Sequence, residues 1–111
     1  MTRKTRIDWT TTRKVREAVR DCLVIVPDHF LSRASECYLD LGDVYHILES
    51  GVVLPRRVKD ELGTAVDGYK HFLEGMTPAG RLFEIVFKFL RSEKGGRTEL
   101  VILLTVYRGG A

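Results

Sequence analysis

Residues 69–90 read YKHFLEGMTPAGRLFEIVFKFL and residues 99–108 read ELVILLTVYR, and these two stretches decide the fold. They predict three consecutive antiparallel strands. The first two strands are joined by a turn at Gly75–Gly80 that contains proline and glycine. A charged, glycine-bearing turn at Arg91–Arg97 leads into the third. A late sheet in a chain of 111 residues requires helices elsewhere to cover one of its faces.

The middle strand of this sheet shows the period-two alternation of a strand with two different faces. One face predicts the helix-packed core and contains Arg81, Phe83, Ile85, Phe87 and Phe89. The other face is expected to be partly exposed to solvent or covered by a partner, and it contains Leu82, Glu84, Val86, Lys88 and Leu90. Residues 100–106 are apolar on both faces, so we expect that strand to be central.

The segments upstream supply the covering helices. Thr10–Thr12 offers N-caps for a helix over 13–21, and Cys22–Val26 is β-branched, which favours a strand or a helix end before Pro27. Asp28 is expected to cap a helix from His29 to about Tyr38.

A second helix is expected to begin after Asp40 and to end at Gly51, which has the residue type typical of a C′ position. Val52–Pro55 then predicts an edge strand, and residues 56–68 predict a loop or a short helix. The expected fold is therefore α+β, with N-terminal helices packed on an antiparallel β-meander.

Composition favours one folded domain and excludes several classes of protein. Hydrophobic residues make up 44%, and no apolar run approaches the roughly 20 residues that span a bilayer. We expect a cytoplasmic protein without a membrane contact. Two unclustered cysteines and three histidines predict neither a metal site nor a cofactor. The chain also lacks a P-loop and a GxGxxG motif.

Positive charge is concentrated at the N-terminus. Residues 1–20 contain seven basic and two acidic side chains, a net charge of +5, so the other 91 residues sum to −2. Such a segment can meet phosphate, an acidic partner or only water. We interpret residues 1–21 as a basic helical extension and residues 22–111 as the α+β domain.

His29 and Arg33 are the sharpest candidates for chemistry. One helical turn apart, they can present an imidazole and a guanidinium to one point, which phosphodiester cleavage needs. Alternatively, His29 is an ordinary helix-start residue and Arg33 pairs with Glu36. Arg81 follows a glycine turn and can reach a ligand phosphate, or can pair with a nearby glutamate.

Further candidates lie on the predicted strands. Tyr107 can stack on a base or donate to phosphate, and it can equally be a residue of the core rim. Arg108, His71 and Lys70 are candidates for RNA binding. His71 is also a possible second acid or base, although a single histidine on a strand is more often structural.

Four short motifs resemble a group of small domains classed with the RelE/ParE, BrnT and MqsR toxins of toxin–antitoxin systems. The motifs are His29-Phe-Leu-Ser-Arg33, Asp43-Val-Tyr-His-Ile-Leu-Glu-Ser-Gly51, Gly75-Met-Thr-Pro-Ala-Gly-Arg81 and Thr105-Val-Tyr107. The resemblance spans about residues 22–108. It departs at residues 1–21 and at the long stretch 56–68.

The resemblance implies a RelE-like (barnase-like) fold and metal-independent cleavage of RNA by attack of its own 2′-hydroxyl. Ribosome-associated mRNA is one candidate substrate that it implies. It implies that His29 acts as acid or base, that Arg33 and Arg81 hold the phosphate, and that Tyr107 orients or stacks. It also implies an antitoxin-like protein partner.

Two other hypotheses stay open. The chain can be a non-catalytic interaction domain with a degenerate toxin-like fold, which binds a partner or a second copy through its sheet. Its apolar last strand can pair across a homodimer or take an added strand. It can also be an accessory protein that binds DNA or RNA through residues 1–20.

Overall fold

The structure is a computed structural model that describes residues 6–92 and 99–109. Within these ranges it contains three helices and five strands. In chain order they are α1 (Trp9–Arg20), β1 (Val24–Ile25), α2 (Asp28–Glu36), α3 (Leu41–Ser50), β2 (Val52–Lys59), β3 (Tyr69–Met76), β4 (Leu82–Arg91) and β5 (Glu99–Arg108). The predicted turn at 91–97 lies mostly outside the described residues, as do the first five residues of the basic segment.

The five strands form one sheet in the order β1-β5-β4-β3-β2. Strands β2 to β5 are a meander of antiparallel neighbours, and β1 adds a short parallel pairing of Val24 with Val101. The predicted α+β class is therefore confirmed. The sheet is mixed rather than purely antiparallel, and β4, not the last strand, is its centre.

The predicted inner face of β4 is confirmed by burial. Phe83, Ile85, Phe87 and Phe89 are at most 3% exposed, and they belong to one hydrophobic cluster. The helices contribute their own buried residues to this cluster, which include Val15, Phe30 and Ile47. Because Val15 lies in α1, residues 9–20 share the core of the rest of the chain.

The outer face of the sheet is covered in part by the loop that follows β2. Residues 56–59, expected in a loop or short helix, continue β2, and a loop over 60–68 follows. The Asp60 carboxylate accepts hydrogen bonds from the N–H groups of Thr64 and Ala65. Both of its oxygens lie 3.2 Å from Nζ of Lys88. This contact explains why Lys88, a central-strand lysine, is only 5% exposed.

The helix boundaries correct several expectations. Asp8 rather than a threonine caps α1, because its carboxylate accepts from the N–H of Thr11. Pro27 occupies the N-cap position of α2, so Asp28 is the first helical residue and makes no cap bond. Asp40 caps α3 as expected, in a reciprocal capping box with Asp43.

The two edges of the sheet differ in how they are protected against strand addition. The N–H of Val101 in β5 donates to the carbonyl of Leu23, just before β1, and α2 runs beside the remainder of β5. The last strand therefore has little free edge for pairing with a second copy. The open edge is β2, where Pro55 and a break in register between Val53 and Arg57 discourage strand addition.

Two glycines allow α3 to end directly against β3. A Cβ atom at Gly51 would lie 2.6 Å from the carbonyl oxygens of Glu74 and Ile47. A Cβ atom at Gly75 would lie 3.0 Å from Cα of Gly51. The φ angle of Gly51 is −77°, an ordinary value, so close backbone approach and not a left-handed conformation requires glycine there.

Thr12 joins α1 to the sheet and yields a stability prediction. Its fully buried hydroxyl donates to the carbonyl of Asp8 and accepts from the N–H of Val53. Thr12→Val keeps the shape and removes both bonds, so we expect the free energy of unfolding to fall by about 1–3 kcal/mol.

Urea denaturation measures this change. Thr10→Val, on the exposed face of the same helix, is the matched control and should change the free energy by less than about 0.5 kcal/mol. Equal effects of the two substitutions would show that the buried hydroxyl does not matter.

Candidate functional site

Several candidate residues meet where the end of α2 approaches the start of β4 and the end of β5. We call this surface the α2 corner and define it by Arg33, Tyr38, Arg81, Tyr107 and Arg108. Tyr107 and Arg108 lie opposite Glu84 and Phe83 in the β4–β5 register, so their side chains are on opposite faces of the sheet. Arg33 lies at the strand edge between them.

Arg33 is fixed at this edge and remains partly open to solvent. Its Nε donates to the carbonyl of Val106 at 3.2 Å, and its guanidinium carbon lies 5.8 Å from the centre of the Tyr107 ring. Its side chain is 44% exposed. The predicted alternative partner is also present, because Nη1 is 3.5 Å from Glu36 in an exposed ion pair, a type that contributes little to stability.

Arg81 is turned toward the end of α2. Its two Nη atoms donate to the carbonyls of Cys37 and Tyr38 at 3.0 and 2.9 Å. The guanidinium also lies 5.1 Å from the ring of Phe83. A cation that binds helix C-terminal carbonyls complements the helix dipole. Arg81 therefore has a structural role, and it makes no ion pair with a glutamate among the described residues.

Tyr38 is a residue of this corner that the sequence did not reveal. It follows the end of α2 with a φ of 59°, a left-handed conformation in which glycine is usual. The N–H groups of Tyr38 and Leu39 donate to the carbonyls of Ser35 and Ala34, the Schellman pattern. Tyr38 is among the most exposed aromatic residues, with a relative exposure of 80%. Strained, exposed aromatic residues are often found at binding surfaces.

His29 precedes Arg33 by one turn on the same side of α2. Four residues correspond to about 6 Å along the helix axis and about 40° around it. The histidine is exposed, and its side chain has no hydrogen bond or ion pair with the part of the chain that the structure describes. It is thus free to meet a ligand bound beside Arg33.

The structure places His71 and Lys70 away from the α2 corner, on β3. His71 faces the core opposite Phe87 and is 3% exposed. Its ring contacts the rings of both Phe87 and Phe89, and Nε2 is 2.7 Å from Asp67 Oδ2. Lys70 is half-buried opposite Val58 of the edge strand. Two strands thus separate these residues from α2.

Two carboxylates share the electrostatic environment of His71. Burial raises the pKa of Asp67, but the N–H of Tyr69 and the His71 ring outweigh it, so the pKa lies below its ordinary value. Burial likewise raises the pKa of Asp8, while bonds from Thr11 and the charges of His71 and Arg57 bring it below the ordinary value. His71 therefore ties the loop after β2 to the core, beside the start of α1.

Comparison of the chain with protein-family models, with curated proteins and with solved structures gives no match. None of the helices in residues 6–92 and 99–109 has the length and hydrophobicity that a membrane crossing requires. The same residues contain no group of three or more His, Cys, Asp or Glu side chains placed to hold a metal ion.

The strained end of α2 yields a second prediction. Tyr38→Gly should raise the free energy of unfolding by about 1 kcal/mol, because glycine adopts a positive φ without a Cβ clash. Tyr38→Ala keeps the clash and should give no gain. Urea denaturation of both variants tests the interpretation, and a gain in the alanine variant alone would contradict it.

The depressed pKa of Asp67 predicts a dependence of stability on acid. A carboxyl whose folded pKa is below its unfolded value of about 3.9 stabilises fully above that value. The contribution is lost as the pH falls through the folded pKa. Asp67→Asn should therefore be destabilised at pH 7 and should show a smaller further loss of urea midpoint between pH 6 and pH 3.

Glu61→Gln, an exposed change in the same loop, is the control and should retain the acid dependence of the parent protein. If the urea midpoint of Asp67→Asn equals that of the parent protein at every pH, the contact between Asp67 and His71 contributes nothing to stability.

Proposed function

We propose that the protein is a toxin-like, metal-independent endoribonuclease whose substrate phosphate binds at the α2 corner. One observation carries this proposal: α2 holds Arg33 at the β5 edge, beside the Tyr107 ring, with the exposed His29 one turn away. A cation, an aromatic ring and an imidazole on one surface suit a phosphodiester between two nucleotides. The four motifs that resemble RelE-type toxins also support it.

The reaction needs no group beyond the RNA, the side chains and solvent water. The 2′-oxygen forms a bond to the adjacent phosphorus while the bond from phosphorus to the 5′-oxygen breaks. One proton leaves the 2′-hydroxyl and one is delivered to the 5′-oxygen; His29 performs one of these transfers and water performs the other. The products are a 2′,3′-cyclic phosphate and a free 5′-hydroxyl.

The arginines have unequal parts in this proposal. Arg33 keeps its Nη atoms at the partly exposed surface, so it can stabilise the negative charge of the pentavalent phosphorus. Arg108 is exposed at the end of β5 and can bind a flanking phosphate. Arg81 donates to α2 carbonyls, so its main contribution is to hold the helix that presents Arg33 and His29.

From the resemblance we also propose two partners, which are RNA as substrate and an antitoxin-like protein that covers the α2 corner. An acidic partner segment would complement Arg33 and Arg108 and would compete with RNA for the same surface.

Cleavage of single-stranded RNA tests the activity. We expect His29→Ala and Arg33→Ala each to lower the rate by about a hundredfold or more, because acid–base and charge stabilisation are each lost. Cleavage should persist in EDTA, and a 2′-deoxy substitution at the scissile position should abolish it.

Ser35→Ala lies on the opposite side of α2 and is the matched control, with an expected rate within twofold of the parent. Thermal unfolding of each variant separates loss of chemistry from loss of structure, which matters for Arg33 because it also bonds Val106. Wild-type cleavage that survives both substitutions in folded protein would rule out the α2 corner as the active site.

A second candidate is a non-catalytic interaction domain, which the outer face of the sheet favours. Met76 and Tyr107 are 54% and 47% exposed there, and Ile102 and Leu100 are half-buried. An apolar sheet face of this kind suits a protein partner or a second copy. The mass of a dimer in solution, together with the absence of RNA cleavage, would favour this candidate.

A further inference from the structure

Three arginines and a tryptophan follow one line along α1, and all of them except the half-buried Arg16 are exposed. Trp9, Arg13, Arg16 and Arg20 occur at i, i+4, i+7 and i+11, which places them within about 60° of the helix circumference. We call this line the α1 stripe. The residues that anchor the helix, Thr12, Val15 and Ala18, point to the other side.

Trp9 has no part in the core. It is 51% exposed, although a tryptophan normally gains stability when buried. The guanidinium of Arg16 lies 5.9 Å from its ring, close enough for a cation–π contact. The arrangement leaves part of the ring open to stacking by a ligand.

Acidic groups compensate part of the positive charge of the α1 stripe. Arg16 donates to the neutral carbonyl of Gly51, and its Nε is a buried donor without a partner among the described atoms. Arg20 pairs with its neighbour Asp21 in an exposed contact, and the charge of Glu17 also acts on it. Arg13 makes no ion pair with any described residue. The acidic group of Asp8 is used at the helix cap.

Single-stranded nucleic acid fits these features better than other ligands. Successive stripe arginines are separated by about 4.5 and 6 Å along the axis, a spacing comparable to that of phosphates in an extended strand. Guanidinium groups bind phosphates, and an exposed indole stacks on any base without sequence preference. We propose that the α1 stripe is a second binding surface, which takes single-stranded nucleic acid through phosphate contacts and one stacked base.

This surface is distinct from the α2 corner. Lys14 of α1 bonds Glu99 at the start of β5, whereas Arg33 bonds Val106 near its end. Seven residues of strand separate these two points, about 23 Å. The proposal concerns binding and does not depend on cleavage, so DNA, which lacks the 2′-hydroxyl, serves as an uncleavable probe.

Fluorescence anisotropy with labelled oligo(dT) of about twelve nucleotides tests the proposal, since single-strand sites cover about 4–16 nucleotides. Arg13→Ala/Arg20→Ala should weaken binding about tenfold or more. It should also reduce the slope of log K against log salt by about 1.4, because two phosphate contacts are lost. Trp9→Leu should weaken binding about tenfold while leaving that slope unchanged.

Arg56→Ala/Lys59→Ala, on the exposed edge strand, removes the same charge elsewhere and is the matched control, because Arg56 pairs with Glu84 of β4 and not with a residue of α1. An oligo(U) arm, measured in the His29→Ala background, should show the same pattern, since the stripe needs no 2′-hydroxyl. The proposal fails if the control loses as much affinity as the α1 double variant, or if the double variant binds like the parent. It also fails if the parent binds anionic lipid vesicles and neither oligonucleotide.

Discussion

The edge of β5 that faces away from β4 is the constraint on which the arrangement of the chain depends. An uncovered edge would leave its backbone donors and acceptors open to strand addition. The short β1 covers the first part, α2 lies along the second, and Arg33 donates to Val106 there. Arg81 then fixes the far end of the same helix. Because α2 closes the sheet, its residues His29 and Arg33 are presented on a rigid element and not on a loop.

The parts of the fold that were predictable are those governed by local pattern. Alternation in β4 identified its inner face because every second side chain is forced into the core. Asp40 and Asp43 identified the start of α3 because a capping box is a short-range motif. The parallel pairing of Val24 with Val101 could not be predicted, since it joins residues far apart in sequence. The three threonines concealed Asp8 because threonine and aspartate are both suitable N-cap residues.

Only part of the candidate site could be predicted from the sequence, for related reasons. Helical spacing put His29 and Arg33 on one side of α2, as the structure does. The partners of Arg81 are carbonyl groups, which have no sequence signature. Tyr38 was missed because its positive φ occurs at a residue type that rarely adopts it. His71 alternates with Leu73, and that alternation places it inside the core, where Phe87 and Asp67 surround it.

The contact between Gly51 and Gly75 limits how this fold can diverge. A methyl group at Gly51 would collide with main-chain oxygens, and one at Gly75 would be in tight contact with Cα of Gly51. Main chain cannot rotate aside as a flexible side chain does. Homologous sequences should therefore retain both glycines, even where neighbouring surface residues vary freely. Where one glycine is replaced, the C-terminal end of α3 must lie further from β3, and compensating enlargement of residues such as Ile47 should accompany the change. This paired retention offers an evolutionary signature of the architecture that is independent of catalysis.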